Sequence, residues 1–94
     1  MELYKQAIKK WGEDAQIQMC IEECAELIVK LSKRNRNSNG STTDDIISEL
    51  VDVEIMIEQL KIIYAKKDSK FNSFTFEVYK RKKIKRFAER LLKC

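Results

Sequence analysis

The sequence has no histidine, no proline and only two glycines. Each of these shortages excludes something. Without histidine there is no Ser-His-Asp triad, no Cys-His pair and no His-ligated zinc site. A ferritin-like di-iron centre also loses the Glu-x-x-His motif it is built from. Acid–base or metal chemistry must therefore fall to Asp, Glu, Lys, Tyr or Cys. The missing proline and scarce glycine argue against a turn-rich β sandwich or barrel. Cysteine is scarce too: Cys20, Cys24 and Cys94 are an odd number, which argues against a closed disulfide framework. Cys20 and Cys24, four apart without His or further Cys, make a poor zinc site and read as small buried apolar residues. There is no apolar N-terminal h-region and no run long enough to span a bilayer. The expectation is a soluble, reduced, cytoplasmic protein with no membrane partner.

What is present is helical in character. The 94 residues are 44% apolar and 36% charged, which suits one domain over 1–94. The abundant Lys, Glu, Leu and Ile favour helices. Charge is unevenly distributed. Residues 1–74 carry 11 Lys/Arg against 13 Asp/Glu, and residues 75–94 carry 8 against 2. A basic tail of this kind suits nucleic acid, a phosphate ligand or the acidic body of the chain itself; it also suits a merely solvated face.

The periodicity predicts four helices. Residues 2–11 form a short one ending near Gly12, with Leu3, Ala7, Ile8 and Trp11 on one side. Residues 14–36 form a long amphipathic one, with Ile17, Cys20, Ile21, Cys24, Ile28 and Leu31 at core spacing. A loop, Asn35 to Ser41, leads to a helix start at Thr42-Thr43-Asp44-Asp45, where a Thr cap and first-turn acids suit the helix dipole. The helix over 44–66 is apolar around its whole circumference, from Ile46 and Ile47 through Leu50, Val51, Val53, Ile55, Met56 and Ile57 to Leu60, Ile62 and Ile63. Such a helix is expected to be buried on all sides. A chain this short cannot surround it, which predicts an oligomer. After a loop at 67–74, residues 75–92 form the last helix, with Phe76, Tyr79, Ile84, Phe87, Leu91 and Leu92 as packing positions. Long helices and short loops predict an all-α antiparallel helical bundle completed by oligomerisation.

Two groups of carboxylates stand out. Glu22, Glu23 and Glu26 share an arc of the second helix, opposite the Ile17/Cys24/Leu31 stripe; alone they are compatible with a solvated acidic face. Glu49 and Asp52 share a face of the all-round apolar helix. A carboxylate there costs several kcal/mol unless it is paired or binds a metal. The structural alternative is a basic partner such as Lys30 or a residue of the tail. Folding the two helices about a loop centred near residue 38 sets Glu23 and Glu26 level with Glu49 and Asp52. Four converging carboxylates call for a cation, and an all-oxygen donor set selects Mg²⁺, Mn²⁺ or Ca²⁺. Mg²⁺ held by few carboxylates completes its shell with water and substrate phosphates, and the Lys/Arg-rich last helix is a natural clamp for those.

The run Glu22-Glu23-Cys24-Ala25-Glu26, then 22 residues, then Glu49-Leu50-Val51-Asp52 resembles the E-E-x-x-E…E-x-x-D signature of the MazG-like all-α nucleoside triphosphate pyrophosphohydrolases. Trp11-Gly12, Gln16, Ala25-Glu26-Leu27-Ile28 and Asp52-Val53 add to the likeness, which extends over residues 11 to 92 and is nearest the short single-domain phage-type members. The resemblance implies a homodimer or homotetramer. It implies Mg²⁺-dependent hydrolysis, with Mn²⁺ as the substitute ion, of a (deoxy)nucleoside triphosphate to monophosphate and pyrophosphate. It also implies that Glu23, Glu26, Glu49 and Asp52 hold the metal, that Glu22 lies in the outer shell or helps position the attacking water, and that Glu26 shares the catalytic role. Lys83, Arg86 and Arg90 would grip the phosphates, and Trp11 and Gln16 would lie at the base. For Trp11 a core or interface role is the competing reading.

Two other functions fit the same chain less fully. One is a small basic nucleic-acid-binding or regulatory module, in which Tyr79, Lys80, Arg81, Lys82, Lys83, Lys85 and Arg86 follow a phosphate backbone. It leaves the buried acids unexplained, so nucleic acid is not the expected partner. The other is a helical interaction protein that has lost its chemistry.

Overall fold

In a computed structural model describing residues 1–37 and 39–93, the chain forms four helices and, among those residues, no strand. Ser38, the expected loop centre, and Cys94 lie outside the described residues. The helices are α1 (Glu2–Trp11), α2 (Glu13–Arg36), α3 (Thr43–Lys67) and α4 (Ser73–Lys93). None of them is long and apolar enough to cross a membrane. The chain divides into two compact units, Met1–Ile63 and Tyr64–Cys94.

In the first unit, one residue ends α1 and begins α2. Gly12 sits at φ +95°, its N–H donates to the Ile8 carbonyl at 2.8 Å, and its own carbonyl accepts from the Gln16 N–H at 3.2 Å. The positive φ is what glycine permits without strain, and α2 therefore starts at Glu13, one residue ahead of expectation. Acids in the first turn of α2 and Lys33, Arg34 and Arg36 in its last complement the dipole. The turn beyond it is stapled locally. The Asn37 carbonyl accepts from the Gly40 N–H at 2.8 Å, and Arg34 Nη1 donates to the Ser41 carbonyl at 2.8 Å. A Cβ on Gly40 would lie 2.7 Å from the Lys33 carbonyl oxygen, so the loop passes the helix end at a distance only glycine allows. The start of α3 is a reciprocal cap: Thr42 Oγ1 accepts from the Asp45 N–H, and Asp45 Oδ2 from the Thr42 N–H, both at 3.0 Å.

α2 and α3 meet through Gln16 with Gln59 and Lys30 with Glu49, and Arg34 of α2 reaches Ser41 in the loop before α3. Partner numbers rise along one helix as they fall along the other. The apolar interior is small: Ile8, Cys20, Met56 and Ile63 are the buried hydrophobic side chains among the described residues. The expected α2 stripe is only partly inward. Cys20 is buried and Ile17 and Cys24 are half-buried, but Ile21, Ile28 and Leu31 are exposed. The seam belongs instead to the neighbouring arc of Gln16, Cys20, Glu23, Leu27 and Lys30, spaced three and four apart. α3 faces it with Glu49, Asp52, Met56, Gln59 and Ile63, while Ile47, Leu50, Val51 and Ile57 remain exposed. One copy of the chain does not surround its most apolar helix.

In the second unit, Asn72 Oδ1 caps α4 by accepting from the Thr75 N–H at 2.9 Å, which sets the start two residues before the expected 75. The Tyr64 and Phe71 rings pack with centroids 5.7 Å apart. α4 has no buried residue: Phe76, Tyr79, Ile84, Phe87, Leu91 and Leu92, expected to pack, are all exposed.

Candidate metal centre

The seam of the first unit turns from apolar to acidic at its middle. Glu23 of α2 and Glu49 and Asp52 of α3 each bring a carboxylate oxygen to within 4.8 Å of the others. Helical spacing explains the grouping. Glu49 and Asp52 are one turn apart on the same face, and Glu23 shares the inward arc of Gln16 and Cys20. Glu49 is 4% exposed. Its Oε1 receives Lys30 Nζ at 3.3 Å, whereas its Oε2 and that of Glu23 are buried and meet no N–H or hydroxyl donor, only the neighbouring carboxyls. Lys30, the basic partner that the sequence offers as the alternative to a metal, contacts Glu49; it satisfies one oxygen and leaves the other.

The electrostatics follow from this crowding. Burial, then a hydrogen bond with Glu49 and the charges of Glu26, Glu49 and Asp52, push the Glu23 carboxyl up to about 7. A hydrogen bond with Glu49, then the Glu49 charge and burial, raise Glu26 as well. Burial opposes ionisation of Glu49, but hydrogen bonds from Glu26, Lys30 and Glu23 outweigh it and hold that carboxyl below the usual range. The group thus gathers positive charge in whatever form is at hand, here protons and one ammonium. Its donor set is all oxygen, which fits a hard divalent cation, and its two buried unpaired oxygens are where such an ion would be bound.

The other expected site residues are dispersed. Glu26 joins the acids through Glu49, while Glu22 on the adjoining arc is exposed. Trp11 is exposed at the end of α1, with Lys10 Nζ 5.5 Å from its ring centroid, so it is not a core residue. Gln16 is buried and donates from Nε2 to Gln59 Oε1 at 2.7 Å, which commits its amide to the interior. Lys83, Arg86 and Arg90 are exposed on α4, in the second unit. Cys20 and Cys24 are free thiols, and burial followed by the neighbouring Cys24 pushes the Cys20 thiol up, away from the reactive thiolate. Gln59 escaped the sequence reading. Its signal was positional, since it continues the row Glu49, Asp52, Met56 at helical spacing and is polar within an apolar helix.

No family model, curated protein or solved structure matches the chain.

Proposed function

We propose that the protein is a Mg²⁺-dependent nucleoside triphosphate pyrophosphohydrolase of the MazG-like all-α type, a cytoplasmic antiparallel bundle completed by oligomerisation. The observation that carries this reading is the acidic group itself, in which Glu23, Glu49 and Asp52 converge within 4.8 Å and two of their oxygens are buried without donors. Together with Glu26 these residues would hold Mg²⁺ or Mn²⁺. The ion supplies charge neutralisation of phosphate oxygens and a lowered pKa for water. Glu26 and Glu22 orient the attacking water and accept its proton at a carboxylate oxygen, the histidine-free route open to this chain. Water forms the new bond to the α-phosphorus, the bridging bond to the β-phosphate breaks, and pyrophosphate leaves. Trp11, exposed and aromatic, stacks on the base; Gln16, held by Gln59 in the interior, does not reach it, and Lys83, Arg86 and Arg90 keep the phosphate role that the resemblance implies for them.

The test is pyrophosphate release from a panel of ribo- and deoxynucleoside triphosphates, with Mg²⁺ and with chelator. Mg²⁺-dependent release with a monophosphate product is the expected result. No release from any of them would overturn the reading and favour the basic α4 as a polyanion-binding surface, since all its Lys and Arg side chains are exposed.

A further inference from the structure

The acidic group contains one fixed cation, and its placement is asymmetric. Lys30 Nζ lies 3.3 Å from Glu49 Oε1; the Lys30 side chain is 36% exposed and that of Glu49 only 5%. The ammonium is the solvent-accessible partner of the pair, and it leaves Glu49 Oε2 buried with no N–H donor. Lys30 also stands one turn beyond Glu26 on α2, where its charge acts on the Glu26 carboxyl. A lysine is a compact charge on a flexible four-carbon stem, suited to leaving one anion for another. A divalent ion taking up Glu49 would sit beside this ammonium, and the two like charges would repel.

We propose that Lys30 is the internal counter-ion of the centre: it neutralises Glu49 in the metal-free protein, competes with the divalent ion for that carboxylate, and once displaced binds the phosphate oxygens of the substrate. This rests on the metal-centre reading above. It has a consequence that reading lacks. Metal alone binds weakly, because it must evict a cation; metal and phosphate bind together tightly, because the evicted ammonium gains a new partner. By linkage the coupling is reciprocal.

Calorimetric titration of Mg²⁺ into the metal-free full chain, with and without inorganic pyrophosphate, tests this in the wild type and in Lys30→Met, Lys30→Gln and Lys30→Arg. Circular dichroism establishes that each variant is folded. In the wild type, pyrophosphate is expected to tighten Mg²⁺ binding. In Lys30→Met and Lys30→Gln, Mg²⁺ alone is expected to bind about tenfold more tightly, the scale of effect that groups adjoining a metal exert, and the tightening by pyrophosphate is lost. Lys30→Arg retains the coupling. If removing the charge weakens Mg²⁺ binding, Lys30 serves only to orient Glu49; if it changes nothing, the contact is an ordinary surface ion pair. Either result overturns the inference, as does a wild type in which pyrophosphate leaves Mg²⁺ affinity unchanged. A wild type that binds no Mg²⁺ under any condition overturns the metal centre itself, which is a different and separable failure.

Discussion

Glu49 is buried with one oxygen on Lys30 and one oxygen unpaired, and an unpaired buried acceptor costs about 1–3 kcal/mol. A residue placed like this is costly unless a ligand meets that oxygen. Glu26→Gln and Asp52→Asn are accordingly expected to lower turnover by at least about 100-fold, the upper end of what groups merely adjoining a metal produce, while the circular dichroism stays helical. Equal turnover in both variants would remove the metal assignment. The same acids set a pH dependence. Glu23 has its folded pKa raised from 4.5 to about 7, so its stabilising contribution is full below the unfolded value and is lost as pH rises through about 7. Melting in chelator should therefore show a falling Tm from about pH 5 to pH 8, and saturating Mg²⁺ should abolish the fall. Metal affinity should rise over the same interval, because the proton on Glu23 has to leave first. Asp45, lowered chiefly by its hydrogen bond with the Thr42 backbone, acts in the opposite sense: its contribution is present above its unfolded value and lost as pH falls through the lowered one.

At the scale of the elements, the helices are legible from composition and end signals. Gly12 and the Thr42–Asp45 start mark real boundaries, because each corresponds to a local hydrogen-bond solution; the expected loop from Asn35 begins too early, since α2 continues through Arg36. Thr42→Ala removes one half of the reciprocal cap and is expected to destabilise the fold by about 1 kcal/mol, readable in urea denaturation. The facing of α2 was legible in part. Hydrophobic periodicity assigns its inward stripe to Ile17, Cys20, Ile21, Cys24, Ile28 and Leu31; Cys20 is buried and Ile17 and Cys24 are half-buried, yet Ile21, Ile28 and Leu31 are exposed and the seam is also lined with Gln16, Glu23 and Lys30. A seam built from polar pairs carries no apolar signal. What could be read was the excess of acid in α3, where a carboxylate has no ordinary place. The Gln16–Gln59 bond, 2.7 Å and buried, is the structural part of that seam. Gln16→Ala strands the Gln59 carbonyl oxygen and is expected to destabilise by about 1–3 kcal/mol. Replacing both glutamines by Leu or Met should recover much of that loss in the same denaturation measurement, since a matched apolar pair leaves nothing unsatisfied.

On the scale of the whole molecule, the balance between buried and bare apolar surface is the dominant fact. Four hydrophobic side chains are buried among the described residues, while Ile47, Leu50, Val51 and Ile57 of α3 and Ile21, Ile28 and Leu31 of α2 are exposed. Covering such side chains with a second copy of the chain would remove them from water, which is the expected assembly. Light scattering is expected to give at least twice the 11.1 kDa protomer mass, and the Tm should rise with protein concentration. Leu50→Glu combined with Ile57→Glu should return the mass to that of one chain. Monomeric wild type at all concentrations would refute the expected assembly. The joint at Gly12 bears on packing at the same scale. Its backbone turns at φ +95° between two helices, and Ile8, one turn before it, is among the four buried hydrophobic side chains. A residue with a Cβ at position 12 would be strained in that conformation, and the strain would fall on the turn that seats α1 in the interior.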